Sequence, residues 1–413
     1  MTTHPFFFTW SAQKNAQPME ITGGEGAWFD TPQARWLDFG SLSYQANLGH
    51  GQKRIADAIK AQCDSLLLTV PSALYPEKTA LAELLLKNAP KGFTKVFFTL
   101  GGSEAVENAL KIARLFTGRH KTLSRYRSYH GASMGALAIS GDYRRPVLEP
   151  ITTGALHVLD CYESRLPGGG TITEGGGSAE AIAQTLDLEG KGTVAAIFLE
   201  PVPGQNGCLI PPAGYWDRVR EACDAHGTLL VADCVLNGFG RLGTYYGFES
   251  LGTASPDLIT VSKGITGGYA PLGAVLVHER VAKHFEDNIL YAGLTFYGHP
   301  LGVAAGLAAL RIYEDDHLIA RSATLGLHFA AKLAALQDAH PTLIPKTRAR
   351  GLLGAFELAC DDATFAKITK AMNDAHLYVH VNKQFKTIVL APPLVATQQD
   401  LDEGFLRIAR CLA

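Results

Sequence analysis

The sequence predicts an α/β chain built on a mixed, mostly parallel seven-stranded sheet flanked by helices, with a smaller lobe beside it. Three observations predict this. Seven short apolar runs lie between Lys95 and Val277, helical segments separate most of them, and an alanine-rich helical stretch followed by further strands comes after residue 298. With 413 residues, 47% of them hydrophobic, the chain is long enough to bury the core of two or three lobes.

The runs, in order, are KVFFTL, KTLSRY, LHVLD, VAAIFLE, LLVAD, LITVS and LGAVLV. A helix between two strands carries the chain back to the starting edge, so neighbours joined this way pair parallel. The last connection differs. KGITGGYAP, residues 263–271, is too short and too rich in Gly and Pro for a crossover helix, so LITVS and LGAVLV should pair antiparallel. From about Gly298 to Asp338 one long, broken helical region follows, and RARGLLGAFELA and TIVLAPPLV return to strands. The run GGGTITEGGG at 168–177 reads as a flexible loop, because a phosphate cradle would need a strand before it and a helix opening on it.

Composition narrows the ligand class. A formal net charge of -2 offers no basic field to nucleic acid or an anionic membrane, which leaves small molecules. Seven cysteines, with no CxxC pair and no His/Cys cluster at zinc spacing, argue against a disulfide framework or a bound metal and for the cytoplasm. The opening MTTHPFFFTW has no positive n-region, and no stretch of about 18 apolar residues occurs, so no membrane segment is expected.

Chemistry collects where strands end, outside the carboxyl edge of the sheet. KVFFTL ends in Gly101 and Gly102, and Ser103 opens a helix with Val106, Leu110 and Ala113 along one face and Gly118 at its end. Glycine backbone, a hydroxyl and a helix N-terminus make a seat for a phosphate, although Ser103 as a simple N-cap is the plainer reading of that stretch alone. LLVAD ends in Asp233, an acid at the edge of an apolar interior that needs a cation or several donors, or else caps the turn after it. LITVS runs into Lys263, which would ordinarily be a solvated lysine but follows five residues that read as buried. Together the three suggest a cofactor with a phosphate, a ring nitrogen that can be protonated, and a carbonyl that an amine can attack. Pyridoxal 5'-phosphate has all three, and its pyridinium would be the cation that Asp233 lacks.

Across essentially its whole length the chain resembles the class III, or omega, aminotransferases that use pyridoxal phosphate, of transferase fold type I. FFTLGGSEAVENALKIAR resembles the family's phosphate-loop helix, RYRSYHGAS its ring-stacking turn, IFLEPVPGQNG its acidic strand and ADCVLNGFGRLG its pyridinium-aspartate strand. LITVSKGITGGYAPLGAV resembles the Schiff-base lysine segment, and GLTFYGHPLGVAAGLAAL the segment that reaches a neighbouring subunit. The resemblance implies Lys263 as Schiff-base residue and proton shuttle and Asp233 as partner of the ring nitrogen. It implies Tyr129 and Val235 on the two faces of the ring, Gly102 and Ser103 on the phosphate, and Thr295 joining them from the partner chain. Tyr129 and Val235 as plain core residues, and His130 as a hydrogen-bonded structural histidine, stay open at this point. The implied unit is a homodimer with shared active sites, with a tetramer as the further possibility. The implied organisation is residues 1–50 as a segment joining the small domain, 51–314 as the large cofactor-binding domain and 315–413 as the small one, which is α+β and formed from the two chain ends.

The implied reaction is a ping-pong transfer of an amino group from an amine or omega-amino acid to a 2-oxo acid, pyruvate or 2-oxoglutarate. A racemase or aminomutase on the same scaffold, or a cofactor-binding protein without turnover, are the alternatives. Departures from the family pattern motivate the last of these: Cys234 follows the aspartate where a glutamate is usual, and Leu236 stands where many members have a glutamine. Cys234 reads as a small inert hydrophobe rather than a reactive thiol. Glu200, Arg127 and Tyr44 are candidate substrate contacts. No arginine lies near the C-terminal PPL segment, where Lys386 is the cation at hand, so the substrate carboxylate is left to Arg127, Arg350 or Lys383 and Glu200 lacks the arginine partner it has in the family.

Overall fold

A computed structural model describes residues 4–151, 154–161, 164–165, 171–172 and 179–412 of the chain. Its centre is a seven-stranded sheet. The N-terminal strands β1 (Gly23–Glu25), β2 (Trp28–Asp30) and β3 (Arg35–Asp38) precede it, and the sheet then takes β4 (Phe93–Thr99), β5 (Lys121–Arg125) and β6 (Ala155–Val158). A two-residue pair, β7 (Ser164–Arg165) with β8 (Thr171–Ile172), stands apart; the rest of the Gly-rich run at 168–177 lies outside the described residues. The sheet is completed by β9 (Val194–Leu199), β10 (Leu229–Asp233), β11 (Leu258–Val261) and β12 (Gly273–His278).

The order across the sheet is β4-β12-β11-β10-β9-β5-β6. Every neighbouring pair is parallel except the two made by β12, which runs antiparallel to both β11 and β4. The short KGITGGYAP connection has the consequence expected of it. Sidedness follows the two-residue period of the strands. Ala196, Phe198, Val231, Leu258 and Val275 pack under the helix Gly102–Thr117 through Val106, Ala109 and Leu110. Their alternates Ile197, Leu199, Leu230, Ile259 and Leu276 join the larger core with Trp216, Val219 and Val303 on the opposite face. Strands β9, β10 and β11 are buried along their whole length, and their charged residues fall at or just past the carboxyl ends, where the sheet stops.

The predicted broken helix is two helices, Pro300–Asp315 and Leu318–Ala339, with the break at His317 in left-handed backbone at φ 51°. Beyond them lie β13 (Thr347–Arg350), β14 (Leu353–Glu357), β15 (Leu377–Tyr378), β16 (His380–Asn382) and β17 (Thr387–Leu390). The two chain ends meet here: β15 pairs parallel with β3, so one four-stranded sheet, β1-β2-β3-β15, draws strands from both. Among the described residues no helix is long and apolar enough to cross a membrane.

Candidate active site

Features at the carboxyl ends of β4, β5, β9, β10 and β11 come together. After β4 the helix opens at Gly102 with Gly101 as its N-cap residue, one position earlier than the sequence suggests. Ser103 therefore does not cap. Its Oγ accepts from the Ser133 amide at 3.0 Å and lies 2.5 Å from Ser133 Oγ, tying the helix start to the turn after β5. A Cβ on Gly101 would meet nothing within 4 Å, whereas one on Gly102 would come within 2.7 Å of Val235 Cγ1, so the helix start faces open space on one side and Val235 on the other.

From β5 the chain runs through Arg127 to Tyr129 and His130. The Tyr129 amide donates to Glu200 Oε1 at the end of β9 at 3.0 Å, and the half-buried Tyr129 ring borders the cleft. His130 is buried, and its Nδ1 lies 2.6 Å from Asp233 Oδ2 at the end of β10. Asp233 also accepts from Thr260 Oγ1 at 3.2 Å and from the Val235 amide at 3.1 Å. The acid thus has a protein partner that the sequence did not assign to it, while His130 Nε2 is buried with no hydrogen-bond partner.

Lys263 lies two residues past the end of β11, in left-handed backbone at φ 45°, a conformation a non-glycine residue adopts only under constraint from its surroundings. Its Nζ lies 5.5 Å from the Tyr44 ring centroid. Desolvation lowers its pKa, with the charges of Glu200 and Asp233 opposing and that of Arg144 reinforcing the shift. Desolvation of this kind favours the neutral, nucleophilic form of the amine. Tyr44 is buried, stacks 3.6 Å from the His380 ring, and its hydroxyl has no hydrogen-bond partner. Burial pushes the Glu200 carboxyl up to about 7, with His130 and the Tyr129 amide pulling it down and Asp233 adding to the rise.

The remaining sequence candidates lie differently. Arg127 is buried with Nη2 on the Asn206 carbonyl at 2.5 Å and its guanidinium carbon 3.6 Å from the Phe385 ring centroid, facing the C-terminal strands. Lys386 bonds the Cys360 carbonyl and Asp362. Thr295 is exposed. Glu200 takes its contacts from backbone amides, of Tyr129 and, at 3.4 Å, Gly204, and Arg125 reaches only its backbone carbonyl. Cys234 is fully buried and its pKa is pushed well up by desolvation, the state of an inert thiol. Sequence reasoning missed Arg144, whose guanidinium carbon stands 4.5 Å from the Tyr129 ring centroid. Nothing marks it in the polar turn GDYRRP, where it resembles any solvated arginine.

An amine whose charged form desolvation disfavours, a buried carboxylate one strand away, orphaned buried atoms at Tyr44 Oη and His130 Nε2, and an open face over Gly101 together fit a pyridoxal phosphate: aldehyde at Lys263, ring nitrogen at Asp233, phosphate at the helix start. Comparison with known proteins points to the same coenzyme. Residues 10–412 match the aminotransferase class-III family. A probable aminotransferase of Mycobacterium tuberculosis is 36% identical, over 93% of this chain and 87% of its own length. The beta-alanine–pyruvate aminotransferase of Pseudomonas aeruginosa is 33% identical, over 97% and 94%. Among solved structures, the taurine:2-oxoglutarate aminotransferase of Bifidobacterium kashiwanohense, in complex with pyridoxal phosphate and glutamate, superimposes with a TM-score of 0.90 at 31% identity, over 98% of this chain and 94% of that one. With the family matched across nearly all of its residues and the carboxyl-edge cleft in place, the chain belongs to the class III aminotransferases.

Proposed function

We propose that this aminotransferase moves an amino group from an amine or omega-amino acid to pyruvate or 2-oxoglutarate, with Lys263 and Asp233 as the residues that work its coenzyme. The family's coenzyme is pyridoxal phosphate, which when bound supplies an aldehyde for amines and an electron sink for the carbon being deprotonated. Lys263 would hold that aldehyde through its Nζ and, when free, would be the base beside the donor carbon that carries its proton. Being tethered beside the carbon, it acts at an effective concentration no free base reaches. Asp233, held by His130, would keep the ring nitrogen protonated. Gly102 and Ser103 bind the phosphate through backbone and hydroxyl donors. Tyr129 and Val235 confine the ring from its two faces, and Tyr44 and Glu200 border the substrate.

The observation that carries this reading is the placement of one amine and one carboxylate at the ends of adjacent strands, β11 and β10, in register through the Asp233–Thr260 pair. Purified holoprotein tests it. An amine panel should discharge the coenzyme absorbance, a 2-oxo acid should restore it, pyruvate should be converted to alanine in step with amine consumed, and Lys263→Ala should abolish all three. A racemase or mutase would form no alanine, and a binding protein without turnover would keep its absorbance with every amine.

Two further readings go with it. The exposed Leu68, Leu74, Tyr291 and Phe296 belong to neighbouring segments, since Tyr75 Oη donates to the Gly298 carbonyl and Lys78 Nζ lies 4.6 Å from the Tyr297 ring centroid. An apolar surface of this kind, with exposed Thr295 inside it, supports a homodimer in which Thr295 reaches the partner's phosphate. All seven cysteines are free, which supports the cytoplasm.

A further inference from the structure

The proposed homodimer needs the exposed Thr295 held where a partner's phosphate can meet it. Residues 295–298 form a turn, closed by the Tyr297 amide on the Leu294 carbonyl at 3.1 Å and the His299 amide on the Phe296 carbonyl at 3.2 Å. The Tyr297 ring seats this turn on β4. Its centroid is 5.0 Å from that of Phe97 and 5.9 Å from that of Phe98, and its hydroxyl donates to the Val96 carbonyl at 3.3 Å. The N-terminal end of the helix Pro76–Lys87 grips the same turn. Buried Tyr75, the N-cap residue, donates its hydroxyl to the Gly298 carbonyl. Gly298 is in left-handed backbone at φ 57°, which brings the turn against Lys78: a Cβ there would be 2.9 Å from Lys78 Cε.

Lys78 is partnered differently from the paired lysines of the surface. Lys53, Lys87, Lys121, Lys283 and Lys370 each meet an acid. Lys78 Nζ instead donates to the Pro71 carbonyl at 3.1 Å and the Ala73 carbonyl at 3.0 Å, and it stands 4.6 Å from the Tyr297 ring centroid. Among the described residues, these two are the hydrogen bonds that join residues 67–74 to the rest of the chain. That stretch exposes Leu67, Leu68, Val70 and Leu74, and the turn exposes Phe296 beside Thr295. One ammonium therefore ties two exposed segments to each other. Desolvation lowers its pKa, as for a charge drawn partly out of water to make these contacts.

We propose that Lys78 is a positioning residue: by joining the 67–74 stretch to the Tyr297 turn, it holds Thr295 in the place from which it reaches the partner's phosphate. The inference rests on the proposed homodimer and deepens it. A turn ordered before assembly loses less freedom when it binds, so the Thr295 hydroxyl contributes more of its hydrogen bond to coenzyme affinity. Lys78 acts on the coenzyme only through Thr295.

The test titrates the full-length dimer with pyridoxal phosphate and with pyridoxal, which lacks the phosphate. Thr295→Val should raise Kd for pyridoxal phosphate by about ten- to a hundredfold, the range for a hydrogen bond to a charged group, and change that for pyridoxal by less than about twofold. Lys78→Met keeps the stem without the charge. It should raise Kd for pyridoxal phosphate by about three- to tenfold, spare pyridoxal, and sediment as a dimer. The double variant should lie within about twofold of Thr295→Val alone, because nothing is left for Lys78 to position. Should Lys78→Met fail to fold, Tyr75→Phe, which removes only the hydroxyl on the Gly298 carbonyl, should give the same pattern in smaller measure. Additive losses in the double variant, an equal loss for pyridoxal, dissociation into monomers, or an unchanged Kd would each overturn the assignment. If Thr295→Val by itself leaves the pyridoxal phosphate Kd unchanged, the contact to the partner's phosphate falls instead, a result read without touching Lys78.

Discussion

At the scale of single residues, the site contains both what sequence can reveal and what it cannot. Asp233 and Lys263 were legible because a charged residue that closes an apolar run has few physical explanations, and two in succession at adjacent strands have fewer. His130 and Arg144 were not, since a histidine after a tyrosine and an arginine in a polar turn have ordinary readings until the fold sets one against Asp233 and the other over Tyr129. Glu200 stands between these cases, visible as an acid at a strand end but not as one whose ionisation is opposed. Its carboxyl titrates at about 7 in the folded chain, chiefly because of burial, against an ordinary 4.5. The folded state therefore keeps a proton that the unfolded chain releases, so stability falls as pH rises from about 4.5 to about 7 and the penalty is constant above that. Glu200→Gln, which cannot ionise, should remove this slope. Relative to the unaltered holoenzyme it should gain up to about 3 kcal/mol between pH 5 and pH 8, seen as diverging thermal midpoints. Parallel profiles would show that Glu200 stays ionised throughout.

At the scale of elements, the central strands and the reversal at β12 could be read directly, because apolar runs and a Gly-Pro connection are local signals. The joining of the chain ends could not be read from any local pattern. Strand β3 pairs with β15, more than three hundred residues later, and both are short and mixed in polarity. What holds that joint is a close approach rather than a hydrophobic period. In the helix Gln398–Leu412, a Cβ on Gly404 would lie 2.0 Å from Phe39 Cζ, inside a cluster where Phe39 and Phe405 centroids are 5.9 Å apart. Gly404→Ala should therefore force the helix off β3 and destabilise the protein by about 1–3 kcal/mol, lowering its thermal midpoint, as overpacking of a tight core does. Gly23→Ala is the matched control, since a Cβ there meets nothing within 4 Å, and it should change stability by less than about 0.5 kcal/mol. Equal midpoints for the two variants would mean that the helix has room to shift and that the joint is held elsewhere.

At the scale of the whole molecule, one proposed site residue lies on the exposed surface. Thr295 is exposed, in a stretch beside the exposed Tyr291 and Phe296, and in the proposed homodimer it would join the phosphate seat at Gly102 and Ser103 of another copy of the chain. Sequence could suggest that relation only through resemblance, because a symmetric contact leaves no period or spacing in a single chain. A dimer of shared sites makes a prediction that separate sites do not. Lys263→Ala destroys the site of its own subunit but still presents Thr295 to its partner. Thr295→Glu, which sets a negative charge against a phosphate, spoils the partner's site and leaves its own lysine intact. Each homodimer should be nearly inactive. Hybrids from refolding an equal mixture should contain one site with both defects and one with neither, so random pairing should restore about a quarter of the unaltered activity. If the mixture stays as inactive as its components, or if Thr295→Glu alone keeps full activity, Thr295 does not cross to a partner's phosphate, and the exposed apolar surface needs another occupant.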